Sequence, residues 1–283
     1  MTATEGTAGS QRTATERSAG SAASAGSAGT LRVAAVQLSS GPDPVANLAQ
    51  AAELVARAAD DGARLVVLPE AAMACFGTRL REIAEPVDGA FGTGLRELAA
   101  RHTVTIVAGM FEPADDGRVH NTLLLTGPDG EATYRKIHLY DAFGSRESAV
   151  VNPGTEHVVV DACGTRIGLA TCYDVRFADQ FTALGRAGAQ VVALPASWGD
   201  GPGKAEQWDL LVRARAMDAQ AYLVAAGQAW VAGQEREPLG IGRSAVTDPL
   251  GRVVARLGHE PGVLVTTIDL GLVPDVRERV PIL

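Results

Sequence analysis

Two spacings of apolar residues alternate along the chain from residue 31 onward. Short runs of consecutive apolar residues are typical of buried strands, and apolar positions every three or four residues are typical of helices that cover a sheet. The runs predict strands at 31–38, 64–68, 104–111, 119–126, 131–137, 157–161, 166–172, 190–194, 222–226, 241–247, 252–256 and 262–269. The helical spacing predicts helices at 43–60, 91–102, 178–187 and 205–220.

The order of these elements predicts the fold class. Strands and helices alternate near both ends of the chain, which indicates strand-helix-strand units with parallel strands. In the middle, the segment Gly127–Gly130 (Gly-Pro-Asp-Gly) separates two strands directly and predicts an antiparallel hairpin. The pattern therefore indicates an α/β protein in which helices cover one mixed sheet or a pair of sheets.

The N-terminal part of the sequence has a different amino-acid composition. Residues 1–30 are dominated by Ala, Gly, Ser and Thr. Such a segment buries too little apolar surface to offset its ordering entropy, so we predict that it is disordered. It also lacks the continuous apolar centre of a secretory signal. No linker composition appears after it, and residues 31–283 are therefore expected to form one domain.

Charge and composition narrow the range of partners. The chain has 283 residues, of which 46% are hydrophobic and 20% charged, and its formal net charge is −8. A nucleic acid or an anionic membrane surface would call for a basic face instead. No apolar stretch approaches the length of a membrane span. We expect a cytoplasmic protein that acts on a small molecule and binds neither nucleic acid nor membrane.

The cysteines and the glycine-rich loops give no sign of a metal or a cofactor. Cys75, Cys163 and Cys172 are too few and too irregular for a disulfide framework or a zinc site, and they fit a reducing compartment. A phosphate-binding loop requires Ser or Thr after its lysine, whereas Ala205 follows Lys204. No Gly-x-Gly-x-x-Gly motif follows the first strand. We therefore expect no metal and no cofactor.

Three polar residues stand where apolar strands give way to turns. Glu70 follows the strand 64–68, Lys136 lies at the end of the next hairpin, and Cys172 ends the strand 166–172. Because the ends of parallel strands gather at one edge of a sheet, these side chains are expected to meet. A carboxylate can take the thiol proton, and an ammonium can lower the thiol pKa and hold an oxyanion. Taken singly, each residue also has an ordinary structural role: Glu70 as a helix cap, Lys136 as a solvated charge and Cys172 as a buried thiol.

The sequence segments around these residues resemble the motifs of the nitrilase (carbon–nitrogen hydrolase) superfamily. They are Leu68–Glu70, Tyr134–Asp141 and Cys172–Phe177, and they occur in the family order. Each motif alone is modest, but all three in sequence are specific. Similar segments accompany them at 33–38, 194–198, 213–218 and 242–251, so the resemblance extends from about residue 31 to beyond residue 269.

The resemblance implies both a fold and a set of roles. The fold is a four-layer α-β-β-α sandwich, which in this superfamily assembles as a homodimer or a larger homo-oligomer. Carried over by position, Glu70 is the general base, Lys136 the oxyanion stabiliser and Cys172 the nucleophile. Glu147 corresponds to the second glutamate of the family, in the loop between lysine and cysteine. The backbone N–H of Tyr173 is expected to hold the oxyanion together with Lys136.

The residues after the cysteine favour an amide substrate. Cys-Tyr-Asp-x-Arg-Phe at 172–177 is similar to ω-amidases and deaminated-glutathione amidases. Nitrilases tend to have Cys-Trp-Glu there, and carbamoyl-amine hydrolases Cys-Trp-Asp. The expected reaction is hydrolysis of a primary amide of a small carboxylic or keto acid through a cysteine thioester. A nitrilase or an N-carbamoyl hydrolase is the alternative, and an inactive scaffold is the alternative of a different class.

Two further residues are candidates for the substrate pocket. Trp198 is expected to line the acyl pocket, although it fits a core position equally well. Arg176 could bind a substrate carboxylate, with a structural salt bridge in the turn as the alternative. The segment Gln228–Trp230 replaces the Gln-Cys-Gly that such relatives often have, and a bulky indole there would narrow the pocket.

Overall fold

The computed structural model of the protein describes residues 29–231 and 240–283. The segment predicted to be disordered, 1–30, lies outside these residues except for its last two positions. Thr30 already belongs to the first strand, one residue before its predicted start.

Twelve strands are present in the described ranges, and they form two six-stranded sheets. Their bounds are β1 Thr30–Gln37, β2 Leu65–Val67, β3 Thr105–Pro113, β4 Val119–Gly127, β5 Gly130–Arg135, β6 Val158–Ala162, β7 Thr165–Leu169, β8 Val191–Ala196, β9 Tyr222–Gly227, β10 Ala245–Thr247, β11 Val253–Arg256 and β12 Gly262–Asp269.

The helices within the same ranges are α1 Pro44–Asp60, α2 Leu80–Ile83, α3 Ala90–His102, α4 Ala178–Arg186, α5 Lys204–Ala219 and α6 Leu272–Arg279. Helices α1 to α5 lie on the outer faces of the sheets, whereas α6 adds Val273 to the core between them. Two short 3₁₀ helices, Glu147–Ala149 and Cys172–Arg176, lie in the loops that carry predicted site residues.

The sheets have related orders. The first runs β12-β1-β2-β3-β4-β5, and the second runs β11-β10-β9-β8-β7-β6. In each sheet the central strands are parallel, namely β1 with β2 and β3 in the first and β7 with β8 and β9 in the second. The remaining pairs are antiparallel. The predicted parallel units and the predicted hairpin β4–β5 are therefore confirmed.

Three apolar cores separate four layers. Strand β1 illustrates the arrangement, because Ala34 and Val36 pack toward α1 and α3 while Val33 and Ala35 face the second sheet. This alternation follows from the two-residue period of a strand. The third core lies between the second sheet and helices α4 and α5. The result is the α-β-β-α sandwich that the resemblance implies. Of the two arrangements that the sequence pattern left open, one mixed sheet or a pair of sheets, the protein has the pair.

Some predicted bounds were wrong. The strand predicted for 166–172 ends at Leu169, and the strand predicted for 241–247 is limited to Ala245–Thr247. Helices α2 and α6 were not predicted. The sequence of helix α6 is mostly polar, and only Val273 and Val276 are buried. The helix was missed because so few apolar residues do not produce a helical spacing that can be recognised.

Candidate active site

The predicted catalytic residues meet at strand ends that belong to both sheets. Glu70 follows β2 and Lys136 follows β5 in the first sheet, whereas Cys172 follows β7 in the second. Strands β2 and β5 run in the same direction because two antiparallel steps separate β3 from β5. The expectation of a single sheet edge was thus wrong for Cys172, and the site lies between the two sheets.

Glu70 is held in place on three sides. Its carboxylate, in a side chain only 1% exposed, accepts hydrogen bonds from Lys136 Nζ (2.8 Å), Asn121 Nδ2 (2.8 Å) and the backbone N–H of Ser197 (2.9 Å). The neighbouring strand approaches closely here, and a Cβ on Gly109 would lie 2.8 Å from the Glu70 Cα. Glycine at this position therefore lets β3 support the backbone beneath the carboxylate.

Lys136 is a buried ammonium between two carboxylates. Its Nζ donates to Glu70 at 2.8 Å and to both oxygens of Glu147 at 3.1 and 2.9 Å, and its side chain is 2% exposed. Burial alone would lower the pKa of Lys136, but the negative charges of Glu147 and Glu70 outweigh it and hold the pKa well above the ordinary value. The lysine is therefore a permanent cation near neutral pH.

Glu147 begins the short 3₁₀ helix in the loop between β5 and β6. Besides binding Lys136, its carboxylate accepts a hydrogen bond from the backbone N–H of Tyr140 (2.6 Å) and another from Asn121 Nδ2 (3.1 Å). The side chain is 7% exposed, so Glu147 is a buried partner of the lysine rather than a solvated loop charge.

Cys172 occupies a strained turn between β7 and α4. Its φ angle of 44° lies in the left-handed region, and the 3₁₀ helix Cys172–Arg176 begins at this residue. A non-glycine residue in that region costs free energy and persists only where its surroundings hold it. The strand therefore ends before the cysteine, and the sharp turn that follows sets the direction of the thiol.

The surroundings of the Cys172 thiol keep it protonated at rest. Burial is the main cause that raises its pKa well above the ordinary value, followed by the negative charge of Glu70. The Lys136 ammonium and the Ser197 backbone N–H act in the opposite direction but do not prevail. The sequence-based expectation was that Lys136 would lower the thiol pKa. Lys136 does act in that direction, but the thiol pKa as a whole is raised.

Asn121 belongs to the site but was not predicted from the sequence. It lies in β4 between His120 and Thr122, is 1% exposed, and donates to Glu70 and Glu147 through the same amide nitrogen. Its backbone carbonyl also accepts the N–H of Lys136 at 2.8 Å. An amide side chain inside a predicted buried strand was the sequence signal that could have identified it.

A third buried carboxylate, that of Asp174, connects the cysteine turn to the strand that precedes Lys136. Asp174, which is fully buried, accepts hydrogen bonds from Tyr134 Oη (2.6 Å), from the Thr171 backbone N–H (2.8 Å) and from the His138 backbone N–H (3.1 Å). Tyr134 and His138 flank Lys136 in sequence, and Thr171 precedes Cys172. Asp174 therefore fixes the relative position of the nucleophile candidate and the ammonium without touching either.

The predicted pocket residues lie beside this cluster. Trp198 is 5% exposed, packs on Trp208 with ring centroids 5.3 Å apart, and is nearly a core residue. The Arg176 guanidinium carbon lies 4.9 Å from the Trp198 ring centroid, and its terminal nitrogen donates to Gln207 Oε1 at 2.7 Å. Within the described ranges Arg176 is thus held by an amide and aromatic rings, not by the salt bridge weighed as its alternative role.

Tyr173 follows the cysteine, and its ring contacts Tyr140 edge-on at a centroid distance of 5.1 Å. The segment after β9 contributes through Gln228, whose side chain donates to the backbone carbonyl of Glu70 at 2.9 Å. Trp230 of the same segment is 40% exposed. The part of this segment that supports the site is therefore Gln228.

The described residues form neither a metal-binding cluster nor a membrane-spanning helix. Among the residues with described coordinates, no three His, Cys, Asp or Glu side chains are grouped so that they could hold a metal ion. In the same part of the chain no helix is long and apolar enough to cross a membrane.

The four layers, with a thiol, an ammonium and two carboxylates buried between them at the strand ends, are the arrangement of the nitrilase superfamily. The chain matches the model of the carbon-nitrogen hydrolase family over residues 32–278 and belongs to that family.

Three known proteins illustrate the relationship. A protein from Mycobacterium tuberculosis named only as a hydrolase is 49% identical over 264 residues, which cover 89% of this chain and 94% of that protein. The mouse omega-amidase NIT2 is 34% identical over 262 residues, covering 90% and 94%. The crystal structure of yeast Nit3, a member of branch 10 of the nitrilase superfamily, superposes with a TM-score of 0.80 at 28% identity and covers 90% of this chain and 95% of that one. These relatives support the amidase branch that the sequence motifs favour.

Proposed function

We propose that the protein is a cysteine-dependent amidase that hydrolyses the primary amide of a small carboxylic or keto acid to the free acid and ammonia. The observation that carries the proposal is the buried pair of Glu70 and Lys136 Nζ, at 2.8 Å, beside the buried Cys172 thiol, whose pKa the Glu70 carboxylate raises. A base, a cation and a nucleophile are thereby combined in one water-poor site. The resemblance to ω-amidases supports the choice of an amide.

The first half of the reaction forms a thioester. Glu70 takes the proton of Cys172, and the thiolate attacks the amide carbon. The oxyanion that forms is held by Lys136 and by the backbone N–H of Tyr173. When the tetrahedral intermediate collapses, the C–N bond breaks and Glu70 returns the proton to the departing ammonia.

The charge on Glu70 links proton transfer to oxyanion stabilisation. At rest Lys136 donates to Glu70 and to Glu147. Once Glu70 has accepted the thiol proton it is neutral, and its attraction for Lys136 weakens while Glu147 keeps its two contacts. The ammonium is then held in position but has a hydrogen available for the oxyanion.

The second half of the reaction hydrolyses the thioester. Glu70, again ionised, takes a proton from water, and the resulting hydroxide attacks the thioester carbon. The C–S bond breaks, and Cys172 recovers its proton from Glu70. Glu147 and Asn121 keep Lys136 and Glu70 aligned through both halves.

Ammonia release from a matched panel tests the proposal. The panel contains the primary amide, the nitrile and the N-carbamoyl derivative built on the same short acyl or amine skeleton. We expect release from the amide to exceed release from the other two by about tenfold or more. Preferential turnover of the nitrile or the carbamoyl compound would assign the site to one of the alternative reactions, and no turnover of any compound would favour an inactive scaffold.

A further inference from the structure

The residue after the candidate base has a backbone conformation that is unusual for its type. Ala71 follows Glu70, is 1% exposed, and has a φ angle of 55°, in the left-handed region. A residue with a Cβ is sterically disfavoured in that region, and it stays there only where its surroundings hold it. The peptide groups next to the base must therefore be supported by other parts of the structure.

Strand β3 supports this point from one side. A Cβ on Gly109 would lie 2.6 Å from the Ala71 nitrogen, so the two backbones approach as closely as glycine allows. The Gly109 N–H also donates to the Pro69 carbonyl at 3.2 Å, and the Gly109 carbonyl accepts the Met73 N–H at 3.1 Å. These two hydrogen bonds flank Glu70 and Ala71 but involve neither residue.

Gln228, directly after β9 of the second sheet, binds the carbonyls that β3 does not reach. Its Nε2 donates to the Glu70 carbonyl at 2.9 Å and lies 3.4 Å from the Ala71 carbonyl oxygen. Its Oε1 accepts the backbone N–H of Ser40 at 2.9 Å, and its Nε2 also donates to the Ser40 hydroxyl at 2.9 Å. One buried amide group therefore connects the end of β9, the loop after β1 and the peptide group between Glu70 and Ala71.

The position of Gln228 is itself fixed by its backbone. The residue is 4% exposed, its N–H donates to the Ala196 carbonyl at 3.0 Å, and its carbonyl accepts the Gly242 N–H at 2.9 Å. Ala196 ends β8, and the N–H of the next residue, Ser197, donates to the Glu70 carboxylate at 2.9 Å. The second sheet thus holds Glu70 at two points, its carbonyl through Gln228 and its carboxylate through Ser197.

We propose that Gln228 is a positioning residue of the reaction, which holds Ala71 in the left-handed conformation and thereby directs the Glu70 carboxylate toward the Cys172 thiol. The inference rests on the proposed amidase function and names a further residue that its base requires. Without this support Ala71 would relax toward an ordinary backbone conformation, and the rotation would displace the side chain before it. Because a base must lie within a fraction of an ångström of its productive position, a small displacement has a large effect on rate.

Replacement of the amide by an apolar side chain of similar length tests the proposal. In Gln228→Met we expect kcat for ammonia release to fall about tenfold or more while KM changes by less than about twofold, because the base is displaced and the substrate contacts are not. Gln220→Met is the matched control. Gln220 is 2% exposed, and its amide donates to the Val280 carbonyl at the opposite end of β9. Its replacement should lower the free energy of unfolding but leave kcat near the wild-type value. An unchanged kcat in Gln228→Met, or an equal fall in Gln220→Met, would overturn the proposal.

A glycine at position 71 distinguishes support of the backbone from a general gain or loss of stability. Glycine adopts the left-handed conformation without the steric penalty, so Ala71→Gly added to Gln228→Met should raise kcat by about fivefold. Thr103→Gly in the same background is the control, because Thr103 has a φ angle of 54° at the exposed C-terminal cap of α3. Equal recovery with Thr103→Gly, or no recovery with Ala71→Gly, would contradict the role assigned to Gln228.

Thiol labelling separates this inference from the amidase proposal, because it needs no amide to be hydrolysed. The Glu70 carboxylate raises the pKa of Cys172 while it is held beside the thiol. Labelling of Cys172 by iodoacetamide should therefore begin at lower pH in Gln228→Met than in the wild type, and Ala71→Gly should return the profile toward that of the wild type. An unchanged profile in Gln228→Met would show that Gln228 does not position the base, even if amides are good substrates.

A milder variant decides the question if Gln228→Met does not fold, as judged by circular dichroism. Ser40→Ala removes the hydroxyl that accepts from the Gln228 amide and leaves the backbone N–H of residue 40 in place. We expect a smaller fall in kcat and a smaller shift of the labelling profile, both in the same direction. No change in either measurement would overturn the proposal.

Discussion

A buried thiol with a raised pKa is a weak nucleophile until a neighbour removes its proton. Cys172 is in that state, because burial and the charge of Glu70 both favour the protonated form. The same carboxylate that raises the thiol pKa is therefore the group that can accept the proton. This arrangement differs from thiols that react because a cation alone lowers their pKa.

Glu70→Gln separates the two effects of the carboxylate on the thiol. Removing the negative charge should move the pKa of Cys172 downward, although burial keeps it above the ordinary value. Amide turnover should nevertheless fall by about a hundredfold or more, because the base is lost. Labelling of Cys172 by iodoacetamide, followed by peptide mass spectrometry across pH, should therefore rise at lower pH in the variant than in the wild type.

The control for this measurement is Glu112→Gln. Glu112 is a buried carboxylate that pairs with Arg135 and does not act on the thiol, so its removal should leave the labelling profile of Cys172 in place. A profile that moves to higher pH in Glu70→Gln, or does not move, would show that Glu70 does not control the thiol.

At the level of elements, the site depends on links between a turn and a strand. Asp174 in the cysteine turn accepts a hydrogen bond from Tyr134 in β5, one residue before the end of that strand. Burial and the nearby Asp174 charge hold the pKa of Tyr134 well above its ordinary value, so its hydroxyl remains a donor. The two sheets are thereby joined at the point where their functional residues meet.

Tyr134→Phe tests this link. The loss of the hydroxyl leaves Asp174 without one donor and leaves the Ile137 N–H and the Gln180 amide without their acceptor. We expect the free energy of unfolding to fall by roughly 1–3 kcal/mol, measured by urea denaturation, and kcat to fall with it. Tyr222→Phe removes another buried tyrosine hydroxyl that is not connected to the cysteine turn, so it should leave kcat near the wild-type value. Equal effects of both variants on kcat would contradict a specific role of the link.

The sequence alone predicted the elements whose apolar spacing is strong and the residues that belong to recognisable motifs. Glu70, Lys136, Glu147 and Cys172 were all found in this way, and the structure brings Glu70, Lys136 and Glu147 into direct contact. Asn121 was missed because its role depends on the register of β4 against β5, which places it beside Lys136. The end of β7 was also missed, because Ala170 and Thr171 continue the apolar run and the left-handed turn at Cys172 has no sequence signal without glycine.

At the scale of the whole molecule, the outer face of the second sheet carries exposed apolar side chains. Leu210 and Met217 of α5 are 65% and 50% exposed, and they lie two turns apart on one face of the helix. Leu250 lies in the turn that approaches Met217. A second copy of the chain packed on this face would bury them, in keeping with the homodimer that the resemblance implies.

Light scattering after size-exclusion chromatography tests the assembly. The wild-type protein is expected to elute as a dimer or a larger homo-oligomer, and Leu210→Asp to shift it toward the monomer because a charge would be buried in the interface. Val45→Asp is the control, since Val45 is 77% exposed on α1 in the opposite outer layer. A monomeric wild-type protein, or dissociation caused by Val45→Asp alone, would contradict this arrangement.

In the proposed reaction Cys172 forms a thioester with the acyl part of an amide. The most direct test of this step is acid quenching of the protein during turnover of a primary amide, followed by mass spectrometry of the peptide that contains Cys172. We expect an acyl mass on this cysteine and not on Cys75 or Cys163, together with loss of both adduct and ammonia release in Cys172→Ala. Full turnover by Cys172→Ala would show that the reaction does not pass through a thioester on this cysteine.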